Sequence, residues 1–315
     1  LLLAAGITAC GGGGEVDFAG KTPVLGSPFP TTLLIPPSWG GGRALAQTAS
    51  APLRGVFTFY LDIRVPPPMR YAFTDMDPLL EGIPDGMVLD EDRNVAFVTT
   101  SGAAEAVWAF DAAEGFRFLD AFPYTGSVLP LPREAPDSLG RPTGSVKPTF
   151  TSGAARVEGK LYITSSNYLR AGLDPVCAPG TLWIVGFGGD PAGFHAASPE
   201  GVIITSRFNP TEVTPFSFLD DRASPPVNHT VLLVTGTGVL AIRDGNGVPL
   251  TDGGVDVVDP VRECIVASYP LGRGAPAFSR IGVARQPMEG GGTVYRGYLG
   301  SAGYNHVYEL DLTGL

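Results

Sequence analysis

The stretch VAFVTTS at residues 95–101, followed by VWAFD at residues 107–111, decides how the rest of the chain is interpreted. Both runs are short and rich in β-branched and aromatic residues, and a turn containing Gly102 separates them. Such runs are typical of adjacent antiparallel β-strands. The first run ends in hydroxyl residues and the second closes with Asp111, which gives a pattern that can be sought elsewhere in the chain.

This pattern recurs five times. Runs that end in small or hydroxyl residues, predicted as second strands, occupy residues 44–50, 95–101, 161–166, 231–236 and 294–301. Runs with paired hydrophobic residues, predicted as third strands, occupy residues 56–62, 107–111, 182–187, 239–244 and 307–311. First strands are predicted upstream of each pair at residues 32–35, 87–90, 154–158, 216–219 and 280–284. Fourth strands are predicted after the first four units at residues 71–74, 116–122, 202–208 and 264–269.

Four short strands per unit, separated by Gly and Pro turns, predict one blade of a β-propeller. A single blade leaves both faces of its sheet exposed, and stacking blades around an axis buries them. We therefore expect an all-β fold, a β-propeller of four-stranded antiparallel blades with five repeats, near residues 26–80, 81–150, 151–210, 211–272 and 273–315. The repeats are longer than a compact blade of about 40–50 residues. The largest loop insertions are expected at residues 125–148, 167–179 and 244–260.

The sequence Val98-Thr-Thr-Ser101, a turn, and Val107-Trp-Ala-Phe-Asp111 resembles the repeats of the YVTN/NHL-type β-propellers of secreted bacterial proteins. The resemblance covers about residues 26–315. It implies a propeller fold and says little about function, because one fold carries many functions. The middle unit departs from the pattern, since Gly186 stands where the closing Asp would fall.

Two features of the repeat leave alternatives open. The fifth unit has no fourth strand before Leu315, so either residues 16–25 supply that strand to a five-bladed ring or the chain is a fragment of a larger propeller. The absence of an initiator Met favours the fragment. Residues 103–120 could also form a helix, although their place in the repeat favours strands.

The first ten residues, LLLAAGITAC, resemble the end of a bacterial lipoprotein signal peptide. The resemblance implies that residues 1–9 are a signal peptide remnant, that Ile7-Thr-Ala-Cys10 is a lipobox, and that Cys10 is lipidated. Several acyl chains, at ~0.8 kcal/mol per buried CH₂, make a stable membrane anchor. The Gly run within residues 10–25 predicts a flexible tether. The expected location is the bacterial cell envelope, with Gly11 compatible with the outer membrane, on its periplasmic or surface side.

Composition and charge exclude several classes of protein. A chain with 43 Gly and 30 Pro cannot form long helices, and 44% hydrophobic against 17% charged residues is not the balance of a disordered protein. The net charge of −10 disfavours a nucleic-acid partner. Neither a Gly-x-Ser-x-Gly elbow nor a P-loop motif is present. Gly236-Thr-Gly238 predicts a hairpin turn and not a dinucleotide fingerprint, because the chain is broken again at residues 243–247.

The lack of a catalytic spacing favours a non-catalytic scaffold that binds an envelope protein, a peptide or a glycan and needs no cofactor. The alternative is a metal-dependent hydrolase of the lactonase type, whose sites lie at the axial mouth of a propeller. Asp90, Glu158 and Asp220, or its neighbour Asp221, are the candidate metal ligands because they end the first strands of successive units. Calcium is the cofactor of this alternative, since carboxylate oxygens are its preferred ligands. The three side chains would meet at one ion only if the units share one register.

Two cysteines remain once Cys10 is set aside, Cys177 and Cys264. A disulfide between them is one interpretation in an oxidising compartment. Two separate buried thiols are the other, because sequence spacing does not show whether their Cα atoms lie within about 7 Å.

Overall fold

The computed structural model describes residues 30–34, 43–48, 55–60, 71–75, 83–101, 106–112, 117–123, 129–130, 135–146, 149–188, 195–220, 225–244, 246–273, 280–288, 292–301 and 307–315. All regular structure in these residues is β-strand, which confirms the expected all-β fold. Within the same residues there is no helix that could cross a membrane. Residues 1–29, with Cys10 and the expected tether, lie outside the described part of the chain.

Five antiparallel sheets follow one another along the chain, and their strands pair in chain order. Sheet 1 contains β1 (Pro30–Leu34), β2 (Arg43–Thr48), β3 (Gly55–Tyr60) and β4 (Tyr71–Asp75). Sheet 2 contains β5 (Ile83–Asp90), β6 (Val95–Ser101), β7 (Ala106–Asp111) and β8 (Arg117–Pro123). The helical alternative for residues 103–120 is therefore wrong for the part of that range that is described, where β7 and β8 lie.

The later sheets carry small hairpins between or before their strands. A hairpin of β9 (Leu129–Pro130) and β10 (Ser145–Val146) precedes sheet 3, which contains β11 (Thr151–Val157), β12 (Lys160–Ser165), β15 (Thr181–Gly188) and β16 (His195–Ile204). The hairpin of β13 (Tyr168–Arg170) and β14 (Val176–Cys177) lies between β12 and β15. Sheet 4 contains β17 (Pro210–Asp220), β18 (Val227–Gly236), β21 (Gly253–Asp259) and β22 (Cys264–Gly272), with the hairpin of β19 (Leu240–Arg243) and β20 (Asn246–Pro249) inserted. The described part of sheet 5 contains β23 (Gly282–Pro287), β24 (Thr293–Gly300) and β25 (Val307–Asp311).

The prediction for the third strand of the fourth unit is wrong. Residues 239–244 were expected to fill that position, but β19 pairs with β20 in a separate hairpin, and β21 pairs with β18. The true third strand begins with Gly253-Gly254, which looks like a loop in the sequence. A Cβ at residue 254 would lie 2.8 Å from the Nε atom of Arg207, whose side chain also covers Gly236 on the neighbouring strand. Gly236 and Gly254 therefore leave room for the half-buried side chain of Arg207, and the Gly253-Gly254 pair makes the start of the strand look like a turn in the sequence.

Alternate residues of each central strand pack against the two neighbouring sheets. In β6, Val95 and Phe97 join a cluster with Leu161, Ile163 and Trp183 of sheet 3. Ala96 and Val98 belong to a different cluster on the opposite face of sheet 2. The same alternation joins sheet 3 to sheet 4 and sheet 4 to sheet 5. This face-to-face stacking of consecutive sheets is the arrangement of propeller blades.

The first strands form the inner wall. β1 contacts β5, β5 contacts β11, and β11 contacts β17. A Cβ at Gly86 would lie 2.2 Å from the carbonyl oxygen of Ser152, and one at Gly153 would lie 2.4 Å from the Cα atom of Glu212. Only glycine permits backbones to approach this closely. The chain is thus built as a β-propeller whose first strands line a narrow axis.

The two ends of the propeller differ. We call the end at which the first strands finish the mouth face; Asp90, Glu158 and Asp220 lie there. We call the opposite end, at which the first strands begin, the cap face. Each second strand ends, and each third strand begins, at the cap end. Ser165 pairs there with Thr181 in sheet 3, and Gly236 pairs there with Gly254 in sheet 4. The three inserted hairpins consequently all lie on the cap face.

Candidate functional site at the mouth face

A buried carboxylate organises the mouth face. Asp90, at the end of β5, is fully buried, and its carboxylate accepts a hydrogen bond from Nη1 of Arg93 at 2.9 Å. Arg156 of sheet 3 places its Nε atom 3.1 Å from the same oxygen as an ion pair, and its Nη2 atom donates to Asp92 at 3.0 Å. One buried acid therefore holds arginines from two blades, which fixes the position of both guanidinium groups.

Arg280, just before sheet 5, reaches the axis. Its Nη2 atom lies 3.4 Å from the carbonyl oxygen of Met87 and 3.5 Å from that of Ala154, on the inner strands of sheets 2 and 3. Its Nε atom lies 3.5 Å from a carboxylate oxygen of Glu212 in sheet 4. The next residue, Ile281, donates its backbone N–H to the hydroxyl of Thr214 at 2.9 Å. The guanidinium of Arg280 thus contacts three blades from a fourth.

A pocket of about 360 Å³ opens above this arginine at the mouth of the axis. Its wall is formed by the inner strands of three sheets together with both axial arginines. The lining residues are Val88, Leu89, Glu91, Asp92, Ala154, Ala155, Arg156, Pro215 and Arg280. The pocket mixes charged side chains of both signs with strand backbone, so it is a polar recess.

The structure does not bring the predicted calcium ligands together as a metal site. Asp90 is buried among arginines, whereas Glu158 is exposed in the left-handed turn between β11 and β12, with a φ of 51°. Asp220 is half-buried at the end of β17, and Asp221 lies outside the described residues. Across the described ranges, no three His, Cys, Asp or Glu side chains are grouped as metal ligands. A guanidinium, not a set of carboxylates, occupies the axis, so these residues do not fit a bound calcium ion.

A second recess lies between sheets 4 and 5, also toward the mouth face. It has a volume of about 490 Å³ and an aromatic floor. The rings of Phe216 and Phe218 are stacked with their centroids 5.5 Å apart, and the ring of Tyr295 meets that of Phe216 edge-on at a centroid distance of 5.2 Å. The ring centroids of His229 and Phe218 are 5.7 Å apart. We call this recess the aromatic cleft.

The side chain of Arg285, which forms no ion pair among the described residues, lines the aromatic cleft. Ile281, just before β23, and Val283 within it pack into the core between sheets 4 and 5, and Arg285 follows them at the same two-residue spacing. Arg285 is exposed and lines the cleft. Among the described residues it has no carboxylate or carbonyl partner. An apolar recess with a few polar groups is the usual form of a ligand site.

Sequence reasoning missed most of these residues. Arg156 and Arg280 fall within the predicted first strands at residues 154–158 and 280–284, where nothing marks them as site residues, and Arg285 lies just beyond the second of these ranges. The three aromatic residues of the cleft fit the pattern of ordinary core positions. The available signal was the alternation of Ile281, Val283 and Arg285, which places a charge on an apolar face.

The two remaining cysteines are free thiols, so the disulfide interpretation is wrong. Cys177 is buried in the hairpin of β13 and β14, and Cys264 is exposed at the start of β22 on the mouth face. They belong to different sheets and to opposite ends of the propeller. Burial raises the pKa of the Cys177 thiol to about 12.

No protein-family model matches this chain, and no curated protein matches it. Solved structures do show similarity. Hydrazine synthase from Kuenenia stuttgartiensis is 12% identical, with a TM-score of 0.44 over 90% of this chain and 66% of that one. The endo-arabinase from Bacteroides thetaiotaomicron is 12% identical, with a TM-score of 0.40 over 90% and 94% of the two chains. The WD40 repeats of RRP9 are 9% identical, with a TM-score of 0.38 over 90% and 80%. The chain thus spans just under two thirds of the hydrazine synthase chain, and its own strand topology is what makes it a β-propeller.

Proposed function

We propose that this protein is an envelope-anchored bacterial lipoprotein whose propeller acts as a non-catalytic scaffold that binds a protein, a peptide or a glycan at its mouth face. The lipobox-like sequence ending in Cys10 supports the anchor, and the proposed location is the outer membrane. The YVTN/NHL-like repeat supports a secreted bacterial propeller.

The aromatic cleft carries the binding proposal. Its floor offers stacked rings, and Arg285 offers a guanidinium with no partner among the described residues. Tyr, Trp and Arg are enriched among the few residues that dominate the binding energy at protein interfaces, and the cleft contains Tyr295 and Arg285. The axial arginines, by contrast, are already held by carboxylates and carbonyls of this chain. The cleft is therefore the recess best equipped to hold something external.

The binding proposal is tested by probing peptide and glycan arrays with the full chain and then measuring affinities for the ligands that bind. Phe218→Ala and Arg285→Ala should each weaken binding by about tenfold or more, because anchor residues commonly contribute over 1.4 kcal/mol. Arg262→Ala is the matched control, since this arginine lies on the same face in the turn after β21 and outside the cleft. The proposal would be contradicted if the protein bound no peptide or glycan on the arrays, or if binding were unchanged by both cleft substitutions.

The anchor is tested separately in cells by labelling with a radioactive fatty acid and by separating membranes from soluble material. The full chain should incorporate the label and sediment with membranes. Cys10→Ala should do neither, because it removes the only thiol at the lipobox. Cys264→Ala, which changes an exposed cysteine of the propeller, is the control and should leave labelling intact.

A further inference from the structure

The three hairpins of the cap face form one connected layer. The backbone N–H of Ser138, in the insertion before sheet 3, donates to the carbonyl of Cys177 at 2.9 Å, and the hydroxyl of Ser138 accepts from the N–H of Cys177 at 3.1 Å. The N–H of Ile242 donates to the carbonyl of Leu173 at 2.9 Å. Arg243 pairs with Asp174 across the same junction. Insertions from three neighbouring blades are thereby joined.

This layer presents large apolar side chains to solvent. Leu139 is 56% exposed, Leu169 51% and Leu173 66%. Val248 and Leu250, on and after β20, are 40% and 38% exposed. Each of the three hairpins contributes to the set. We call these five residues the leucine patch.

Two ion pairs lie within the layer, Arg141 with Asp137 and Arg243 with Asp174. Arg141 donates to the carboxylate of Asp137 at 2.8 Å, and Arg170 donates to the carbonyl of Asp174 at 3.0 Å. Burial alone would raise the pKa of Asp137, but hydrogen bonds from the side chain and backbone of Arg141 and from the N–H of Leu139 outweigh it and lower the pKa. The surface around the patch thus combines apolar side chains with internally paired charges.

The chain enters the propeller from this same face. β1 is a first strand and begins at Pro30, and its register with Thr48 of β2 places that residue at the cap end. Twenty positions separate Cys10 from Pro30. A chain of that length spans at most about 70 Å when fully extended. An acyl group on Cys10 would therefore connect to the propeller at the cap face.

We propose that the leucine patch rests on the surface of the lipid bilayer in the anchored protein, so that the mouth face points away from the membrane. This orientation depends on the proposed lipidation of Cys10. Lipid is favoured over a protein partner because the patch contains only Leu and Val, whereas protein hot spots are enriched in Trp, Tyr and Arg. The paired charges favour a zwitterionic surface over an anionic one, since the chain as a whole carries a net charge of −10.

The test uses the full acylated chain in vesicles of phosphatidylethanolamine and phosphatidylcholine. The starting protein carries Cys264→Ser, and buried Cys177 is retained because its raised pKa keeps it protonated and unreactive at neutral pH. An environment-sensitive fluorophore is attached to Leu173→Cys. The matched control is Val261→Cys, which is 73% exposed in the turn on the mouth face. Spin-labelled lipids report which fluorophore approaches the bilayer.

The proposal expects a blue shift and strong quenching at residue 173 and neither at residue 261. In the same labelled protein, the pair Leu139→Glu and Leu169→Glu should weaken the quenching at residue 173 without detaching the protein from the vesicles. An unquenched residue 173 in protein shown by mass spectrometry to be acylated at Cys10 would overturn the orientation and leave the anchor standing. Cys10 without an acyl group would overturn both. If the fluorophore at residue 173 were shielded in intact cell envelopes but not in lipid vesicles, the patch would be a protein-binding surface, and the proposal would also be overturned.

Discussion

The hydroxyl of Thr99 shows what the recurring threonine does in this fold. It accepts a hydrogen bond from the N–H of Gly86 at 2.8 Å and donates to the carbonyl of Ser152 in the next sheet. Thr164 repeats the first contact with the N–H of Gly153, also at 2.8 Å. In both sheets the threonine lies opposite a bulge in the first strand, where the ladder leaves backbone groups unpaired.

The fourth sheet departs from this arrangement. Thr235 pairs directly with Glu212, and its buried hydroxyl has no hydrogen-bond partner. The bulge of β17 has shifted to Thr211, so the glycine that supplies the N–H in sheets 2 and 3 is missing. The sequence shows the threonine in each of these three units, but the partner of its hydroxyl depends on where the bulge lies.

At this scale we predict that Thr99→Val destabilises the protein by about 1–3 kcal/mol, because it leaves the buried N–H of Gly86 without a partner. Urea unfolding of the full chain measures the change. Thr230→Val is the matched control, since its hydroxyl meets that of Ser217 at an exposed position, and its effect should stay within about 0.5 kcal/mol. Equal losses for the two variants would count against the role given to Thr99.

The strands depend on each other most closely along the inner wall. Gly86 and Gly153 occupy equivalent bulges in β5 and β11, and each faces the backbone of the next first strand. The sequence pattern could locate the first strands because their apolar residues are regular. It could not show that a glycine in β5 and another in β11 set the spacing between blades, since that spacing is a tertiary contact.

Gly153→Ala should therefore be severe. Its Cβ would lie 2.4 Å from the Cα atom of Glu212 and 2.8 Å from the carbonyl oxygen of Thr211, and neither backbone atom can move without shifting β17. We expect a loss of about 3 kcal/mol or more, at the upper end for overpacked cores. Thermal unfolding and expression level are the measurements. Gly201→Ala in β16, where the nearest atoms are 3.5 Å away, should be nearly neutral.

For the whole molecule, the feature hardest to predict from the sequence was which side chains of different blades meet at the propeller axis. The repeat predicted the five sheets and the residues at the ends of their first strands, and the fold class is confirmed. What occupies the axis depends on the combined register of several blades. Arg280 stands outside every repeat element in the structure, yet it contacts sheets 2, 3 and 4.

Arg280→Ala should destabilise the protein by about 1–2 kcal/mol, a modest value because its polar contacts are long and its side chain is partly exposed. Arg285→Ala is the control at a cleft position without a partner among the described residues, and it should change stability by less than about 0.5 kcal/mol. Both are measured by urea unfolding at low and high salt. If Arg280→Ala were as mild as the control, the axial arginine would not join the blades.

The division of the propeller into two faces also has a practical meaning for protein engineering. The large insertions of sheets 2 to 4 open toward one end, while the turns at the other end are as short as Glu158-Gly159. A reporter domain or an epitope spliced into a short turn there would leave the connected hairpins untouched. The same molecule could then be displayed, immobilised or imaged by one end while the opposite end keeps its native surface.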